Sequence, residues 1–238
     1  MEAGQTMQPG GSSVTLAHVG KAFGALKALD DISLSIAAGT VQGVIGPPGA
    51  GKSTLLRCIA GRETIDRGTI RLGGEPVTAS DAGVAPLIGA RADLPEHMTA
   101  LQQIIEGPLS RLRRPRREMV AAAMAALERV GLAGRRDAYP GELSGAERQR
   151  VAIARALAVR PGLTLFDAST AALPSGQAGD VLELMRSLAA GGMTMIVVTD
   201  ELDFLREVAD DVAVMAGGAI VAQGPPQTVL AGMTALLP

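Results

Sequence analysis

Tryptophan is absent from this chain of 238 residues, and aromatic residues of all kinds make up only 2% of it. The core must therefore be assembled from Val, Leu, Ile, Ala and Met. Cysteine is nearly absent too. The single thiol, Cys58, has no possible partner, which excludes an internal disulfide and fits a reducing compartment. Its place in Leu55-Leu-Arg-Cys-Ile marks it as a small buried apolar residue. No basic-then-apolar leader stands at the N-terminus. The longest apolar runs, such as Met193 to Thr199, fall far short of the roughly 18 residues that cross a bilayer. A role at a membrane would then be that of a peripheral subunit. A net charge of −2 removes the basic excess on which nucleic-acid binding depends. What is present, 47% apolar and 19% charged residues, describes an ordered globular chain large enough for a sizeable core.

Along the chain, residues 1 to about 13 are rich in Gly, Gln and Ser and read as a disordered tail, leaving 14–238 as the folded part. Val14-Thr-Leu and Ile32-Ser-Leu-Ser-Ile alternate in polarity, as half-exposed antiparallel strands do. A hairpin is expected around Gly73-Gly74. From about 95 to 155 the pattern is helical, with Ala121 to Val130 a clear segment stopped by Gly131. Leu163-Thr-Leu-Phe166 and Met195-Ile-Val-Val198 are continuous apolar runs, the pattern of buried parallel strands. Val212 to Met215 and Ala219 to Ala222 flank Gly217-Gly218 as a closing hairpin, and Pro225-Pro226 opens a last helix. The fold class is α/β, with an N-terminal antiparallel β part and an inserted helical part. The cluster Arg111-Leu-Arg-Arg-Pro-Arg-Arg117 reads as a solvated loop and helix start, favoured by the acidic total over an anionic-lipid or nucleic-acid patch.

The chemistry concentrates in Gly46-Pro47-Pro48-Gly49-Ala50-Gly51-Lys52-Ser53-Thr54, which satisfies G-x-x-x-x-G-K-[ST] at every fixed position. Val41-Gln-Gly-Val-Ile before it reads as a buried strand, and Leu55 to Ala60 after it as a helix. In that setting glycine lets backbone N–H groups wrap phosphates, and the helix N-terminus adds positive potential. Lys52 would reach the β/γ-phosphates, and Ser53 would hold Mg²⁺. A glycine loop of this kind leaves kinases, GTPases and many ATPases open.

Further motifs narrow the field. Leu143-Ser144-Gly145-Ala146-Glu147, followed by Arg148-Gln-Arg-Val-Ala-Ile-Ala-Arg-Ala-Leu157, resembles the LSGGQ signature and helix of ABC-transporter ATPases. Leu163 to Asp167 resembles their Walker B strand, and Lys21-Ala22-Phe23-Gly24 their adenine-stacking loop. Leu55-Leu-Arg-Cys-Ile, Tyr139-Pro-Gly-Glu-Leu-Ser-Gly, Gly192-Met-Thr-Met-Ile-Val-Val-Thr and Arg206-Glu-Val-Ala-Asp look most like subunits of polar amino-acid importers. The resemblance implies a P-loop (RecA-like) core binding ATP or ADP with Mg²⁺, the metal held by Ser53 and Asp167 and the adenine stacked on Phe23. It implies a head-to-tail dimer, each nucleotide capped by the other subunit's signature. The implied partners are transmembrane permease subunits, a second ATPase subunit (identical or different) and, indirectly, a solute-binding protein, with no nucleic acid. The implied location is cytoplasmic, peripheral on the inner face of the cell membrane.

The sequence departs from that family where hydrolysis is carried out. The carboxylate expected after the Walker B Asp is Ala168, the switch histidine is Asp200, and the Gln ahead of the helical part aligns with Ala90. The D-loop reads Ala171-Ala172-Leu173-Pro174, and Ala146 and Glu147 replace Gly and Gln in the signature. No catalytic group is then intact. Loss of a general base costs roughly 10²–10⁴-fold. A carboxylate about 4 Å from a phosphate oxygen adds about 4 kcal/mol of repulsion at an effective dielectric near 20. The expectation is a transporter subunit that binds nucleotide but hydrolyses it poorly at its own site. The alternative is a non-transport pseudo-ATPase that regulates or assembles other proteins.

Overall fold

The computed structural model describes residues 11–77, 86–106, 115–174 and 176–234. The strands are β1 (Val14–Phe23), β2 (Leu26–Ile36), β3 (Val41–Ile45), β4 (Arg67–Leu72), β5 (Glu75–Pro76), β6 (Leu87–Ile88), β7 (Thr164–Asp167), β8 (Met195–Val198), β9 (Asp211–Ala216) and β10 (Ala219–Gly224). The helices are α1 (Lys52–Ile59), α2 (Ala100–Ile105), α3 (Arg116–Arg129), α4 (Gly145–Leu157), α5 (Ala178–Ala190), α6 (Leu202–Val208) and α7 (Pro226–Thr234).

Two sheets organise the molecule. The first runs β2-β1-β4-β5, antiparallel throughout. The second runs β10-β9-β3-β8-β7-β6, parallel except for the antiparallel edge pair β9–β10. Every residue of β3 and β8 is buried, as expected of parallel strands covered on both faces. The two-residue period of the pleat then divides their side chains between two cores. Val41, Ile45, Met195 and Val197 join the core shared with α3, α4 and α5. Val44, Ile196 and Val198 join a second core with α1 and the antiparallel sheet. Helix α1 presents Leu55, Leu56, Cys58 and Ile59 to that second core.

The strand ahead of the glycine loop, the apolar runs and the closing hairpin fall where the sequence places them. Helix α1 begins at Lys52, ahead of the expected Leu55, because the last glycine already supplies the turn into the helix. The helical stretch resolves into α2, α3 and α4, with residues 89–98 irregular between β6 and α2. Of the expected tail, residues 1–10 lie outside the described residues. Ser12 and Ser13 are not loose: Ser12 N–H donates to Gly162 O at 2.7 Å, and Ser13 O accepts from Gly73 N–H at 2.8 Å. Arg111 to Arg114 also lie outside the described residues. Arg116 and Arg117 are exposed on the first turn of α3, and Arg116 pairs with Glu106 at 3.5 Å.

Burial pushes the Cys58 thiol up to about 11, with the nearby Glu63 charge adding to the shift. A raised thiol pKa stabilises the fold below the unfolded value, near pH 9, and that contribution fades as pH climbs toward 11. The folded protein should therefore show no reaction with a disulfide-exchange reagent at pH 8 and one equivalent of thiol in denaturant. Prompt labelling of the native protein would contradict the burial of Cys58.

Candidate nucleotide site

Strand β3 delivers the chain to the rim where the parallel strands end, and only six residues separate Ile45 from the start of α1 at Lys52. Gly46, Gly49 and Gly51 make that reversal with φ of 147°, 78° and 97°. At Gly46 and Gly51 an added Cβ would strike the carbonyls of Met215 and Ala28. Side chains are thus excluded by both conformation and space. Pro47, Pro48 and Gly49 are exposed at the crest while Ala50 is buried beneath them. No side chain caps α1, so its first N–H groups stay available to an outside acceptor. Lys52 folds back over the loop, its Nζ donating to Gly46 O at 2.6 Å and Pro47 O at 2.9 Å.

The parallel sheet brings Asp167 to this loop. Strand β7 lies beside β8, which lies beside β3, so the end of β7 opens at the same rim. Ser53 Oγ donates to Asp167 Oδ1 at 3.1 Å. A hydroxyl and a carboxylate side by side suit a hard cation that takes one or two protein oxygens and completes its shell with phosphates and water. Among the described residues no group of three or more His, Cys, Asp or Glu side chains is placed to hold a metal ion. Thr54 is half-buried one residue further on. Phe23 ends β1 with 49% of its surface exposed.

Ala168 follows Asp167 with φ of +50°, a left-handed backbone that alanine seldom adopts. Its N–H donates to Val198 O at 2.8 Å, which fixes the residue where β7 meets β8. Asp200 lies just past β8 and is exposed, so water screens its charge far more than the dielectric of 20 assumed above. Thr199 is buried, and its Oγ1 accepts from Glu201 N–H at 3.1 Å. Ala90 is half-buried in the irregular stretch 89–98.

The signature residues form the start of α4. Ser144 is its N-cap: Ser144 Oγ accepts from Glu147 N–H at 3.1 Å, and Glu147 Oε2 accepts from Ser144 N–H at 2.8 Å. This reciprocal box needs Glu or Gln at its fourth position, so Glu147 fills the capping role glutamine would have. The hydrogen bond from Ser144 N–H holds the Glu147 carboxyl below its ordinary range, and Arg135, 3.3 Å away, helps. Leu143 and Ala146 are buried, and Gly145 packs near Leu173 and Pro174 of the D-loop segment. Ala146 N–H donates to Gln177 Oε1 at 3.1 Å, tying α4 to the approach of α5. Among the described residues no hydrogen bond or ion pair joins 143–147 to the glycine loop.

Sequence reasoning passed over the residues that hold the 89–98 stretch. Gln149, buried on α4, donates from Nε2 to Gly89 O at 2.8 Å. Gln103 reaches Pro95 O at 2.6 Å, and Arg155 reaches Asp93 O at 2.9 Å. A glutamine on an otherwise apolar helix face was the available signal, since a buried amide must find partners.

The sheet order and the glycine loop together define an ATP-binding cassette. Solved cassettes share the architecture. One in its ADP conformation matches with a TM-score of 0.82 and 28% identity, covering 94% of this chain and 97% of that one. A dimeric cassette in a post-hydrolysis state with ADP and phosphate matches at 0.77 and 27%, covering 90% and 98%. The ABC transporter family pattern matches residues 29–171. The glutamine transport ATP-binding protein GlnQ of Geobacillus stearothermophilus is 44% identical over 216 residues, 88% of this chain and 89% of that protein. The arginine transport ATP-binding protein ArgV of Corynebacterium glutamicum is 41% identical over 229 residues, 90% of each chain. This chain belongs to the ABC transporter family.

The left-handed backbone at Ala168 yields a stability prediction. Ala168→Gly should raise stability by about 0.5–1 kcal/mol, because the Cβ clash outweighs the extra freedom glycine gives the unfolded chain. Urea unfolding would measure it, and a loss of stability would show that the alanine conformation is not strained.

Proposed function

We propose that this chain is the ATP-binding subunit of a membrane transporter for amino acids or similar small polar solutes, binding Mg-nucleotide but turning it over slowly or not at all at its own site. The transporter role is supported by the relatives, whose names describe transport of glutamine, arginine and glutamate. No helix among the described residues is long and apolar enough to cross a membrane, so attachment would run through permease subunits. The observation that carries the catalytic half is the contrast between Asp167, set against Ser53, and the methyl group of Ala168 beside it.

In this reading the loop N–H groups and the start of α1 receive the phosphates, and Lys52 leaves the Gly46 and Pro47 carbonyls for the β/γ oxygens. Ser53 and Asp167 would hold Mg²⁺, which neutralises phosphate charge when bound. Phe23 offers a face to the adenine. Ala168 supplies no base for the attacking water, and Asp200 sets a negative charge where the family has a γ-phosphate partner. ADP should bind at least as well as ATP. A partner ATPase subunit would complete two unequal composite sites. One uses this glycine loop; the other uses Ser144 and Gly145 above the partner's loop. Import is the direction that the amino-acid resemblance favours. Asp200 or Glu201 acting as the water-orienting group is the competing arrangement, although both are exposed beyond the end of β8.

Two measurements test this. Purified protein should bind Mg-ADP, and Lys52→Ala should weaken that binding at least tenfold, as expected for loss of a charge-assisted phosphate contact of about 1.5–3 kcal/mol. Phosphate release should be near background and rise about 10²-fold or more in Ala168→Glu/Asp200→His. Brisk release by the unaltered protein, abolished by Lys52→Ala, would overturn the catalytic half of the reading. Copurification with permease subunits from membranes tests the transporter half.

A further inference from the structure

Phe23 stands at the end of β1 opposite Leu26, its register partner on β2, and the two form an exposed apolar hairpin tip, at 49% and 67% exposure. Behind them Lys21 is only 8% exposed, which is unusual for a lysine. Its Nζ lies 2.9 Å from Glu63 Oε1, 3.3 Å from Thr64 Oγ1 and 3.4 Å from Asp66 Oδ1. The same ammonium sits 5.2 Å from the centre of the Phe23 ring, within cation–π range. Asp66 also grips the backbone on either side of Lys21. Its Oδ2 accepts from Ala22 N–H at 2.7 Å, and its own N–H donates to Gly20 O at 2.9 Å.

All three anchors belong to the segment directly after α1. That segment is fastened to the helix, since Arg57 O accepts from Arg62 N–H at 2.9 Å and from Glu63 N–H at 3.2 Å. Helix α1 is the element whose other end forms the glycine loop. We propose that Lys21 is a positioning residue for the base: anchored by Glu63 and Asp66, it covers one face of Phe23, holds the ring in a single orientation, and so links the adenine platform to the phosphate-binding helix. This rests on the reading of the glycine loop as a nucleotide site. The ring is then presented with its other face open, and ordering it adds little cost when the base arrives. The Glu63 hydrogen bond raises the Lys21 pKa, the Lys21 hydrogen bond lowers that of Glu63, and the hydrogen bond from Ala22 N–H lowers that of Asp66, so the anchor stays charged around neutral pH.

The test separates base binding from phosphate binding. Dissociation constants for Mg-ADP and Mg-pyrophosphate are measured by calorimetry on the full chain, Lys21→Met, Phe23→Ala and the double variant. Lys21→Met should weaken ADP roughly three- to tenfold and leave pyrophosphate within about twofold. In the Phe23→Ala background, where the stacking face is already gone, Lys21→Met should add almost nothing. If Lys21→Met does not fold, Glu63→Ala, which removes the nearest anchor at a partly exposed position, is read by the same ratio. Equal losses for both ligands, an unchanged ADP-to-pyrophosphate ratio, or a full Lys21→Met effect without the Phe23 ring would each overturn the positioning role while leaving the nucleotide site standing. Failure of the unaltered protein to bind either ligand would overturn the nucleotide reading, and this inference with it.

Discussion

A strand buried on both faces must become a helix within a few residues, and that constraint shapes the whole site. Strand β3 cannot end in ordinary side chains, because the Met215 and Ala28 carbonyls crowd the turn. Glycine in left-handed geometry is what the backbone can accept there. Once the turn is made, α1 leaves with its first N–H groups unspent and its apolar face against the second core. The hydrogen bond between Ser53 and Asp167 follows from the same packing, since parallel strands finish together at one rim. The candidate phosphate site and the candidate cation site are two results of one tight connection.

The parts of the fold that could be read from sequence are those in which one physical pattern dominates. Met195 to Val198 and Val41 to Ile45 are continuous apolar runs because both faces of the parallel sheet are covered, and they were legible for that reason. The glycine loop was legible because few residues can replace it. Lys21 was not, as its partners lie beyond β2, β3 and α1 in the chain and no local periodicity links them. Gln149 was hidden similarly, its acceptor being a carbonyl of the irregular segment before α2. The signature shows the opposite error. Glu147 reads as a departure from a motif, yet its carboxylate closes the same capping box that an amide would.

Charge is distributed unevenly around the site. The cationic contribution on the phosphate side comes from Lys52 and from helix α1, while Asp167, Asp200 and Glu201 bring carboxylates to the strand ends. A cation between Ser53 and Asp167 would balance that excess, and in the proposed reading it would make metal and nucleotide mutually dependent ligands. The signature end is different: the Glu147 carboxylate is matched by Arg135 and by the Ser144 N–H. The two ends of the subunit would therefore respond differently to salt, with the phosphate end more sensitive.

The bend at Ala168 bears on how durable the inferred loss of hydrolysis is. The residue already carries the left-handed conformation and the hydrogen bond to β8 that define its direction. A lineage carrying this protein would therefore face a shallow barrier to regaining a base at this one position, where the stem persists and a longer branch is what it lacks.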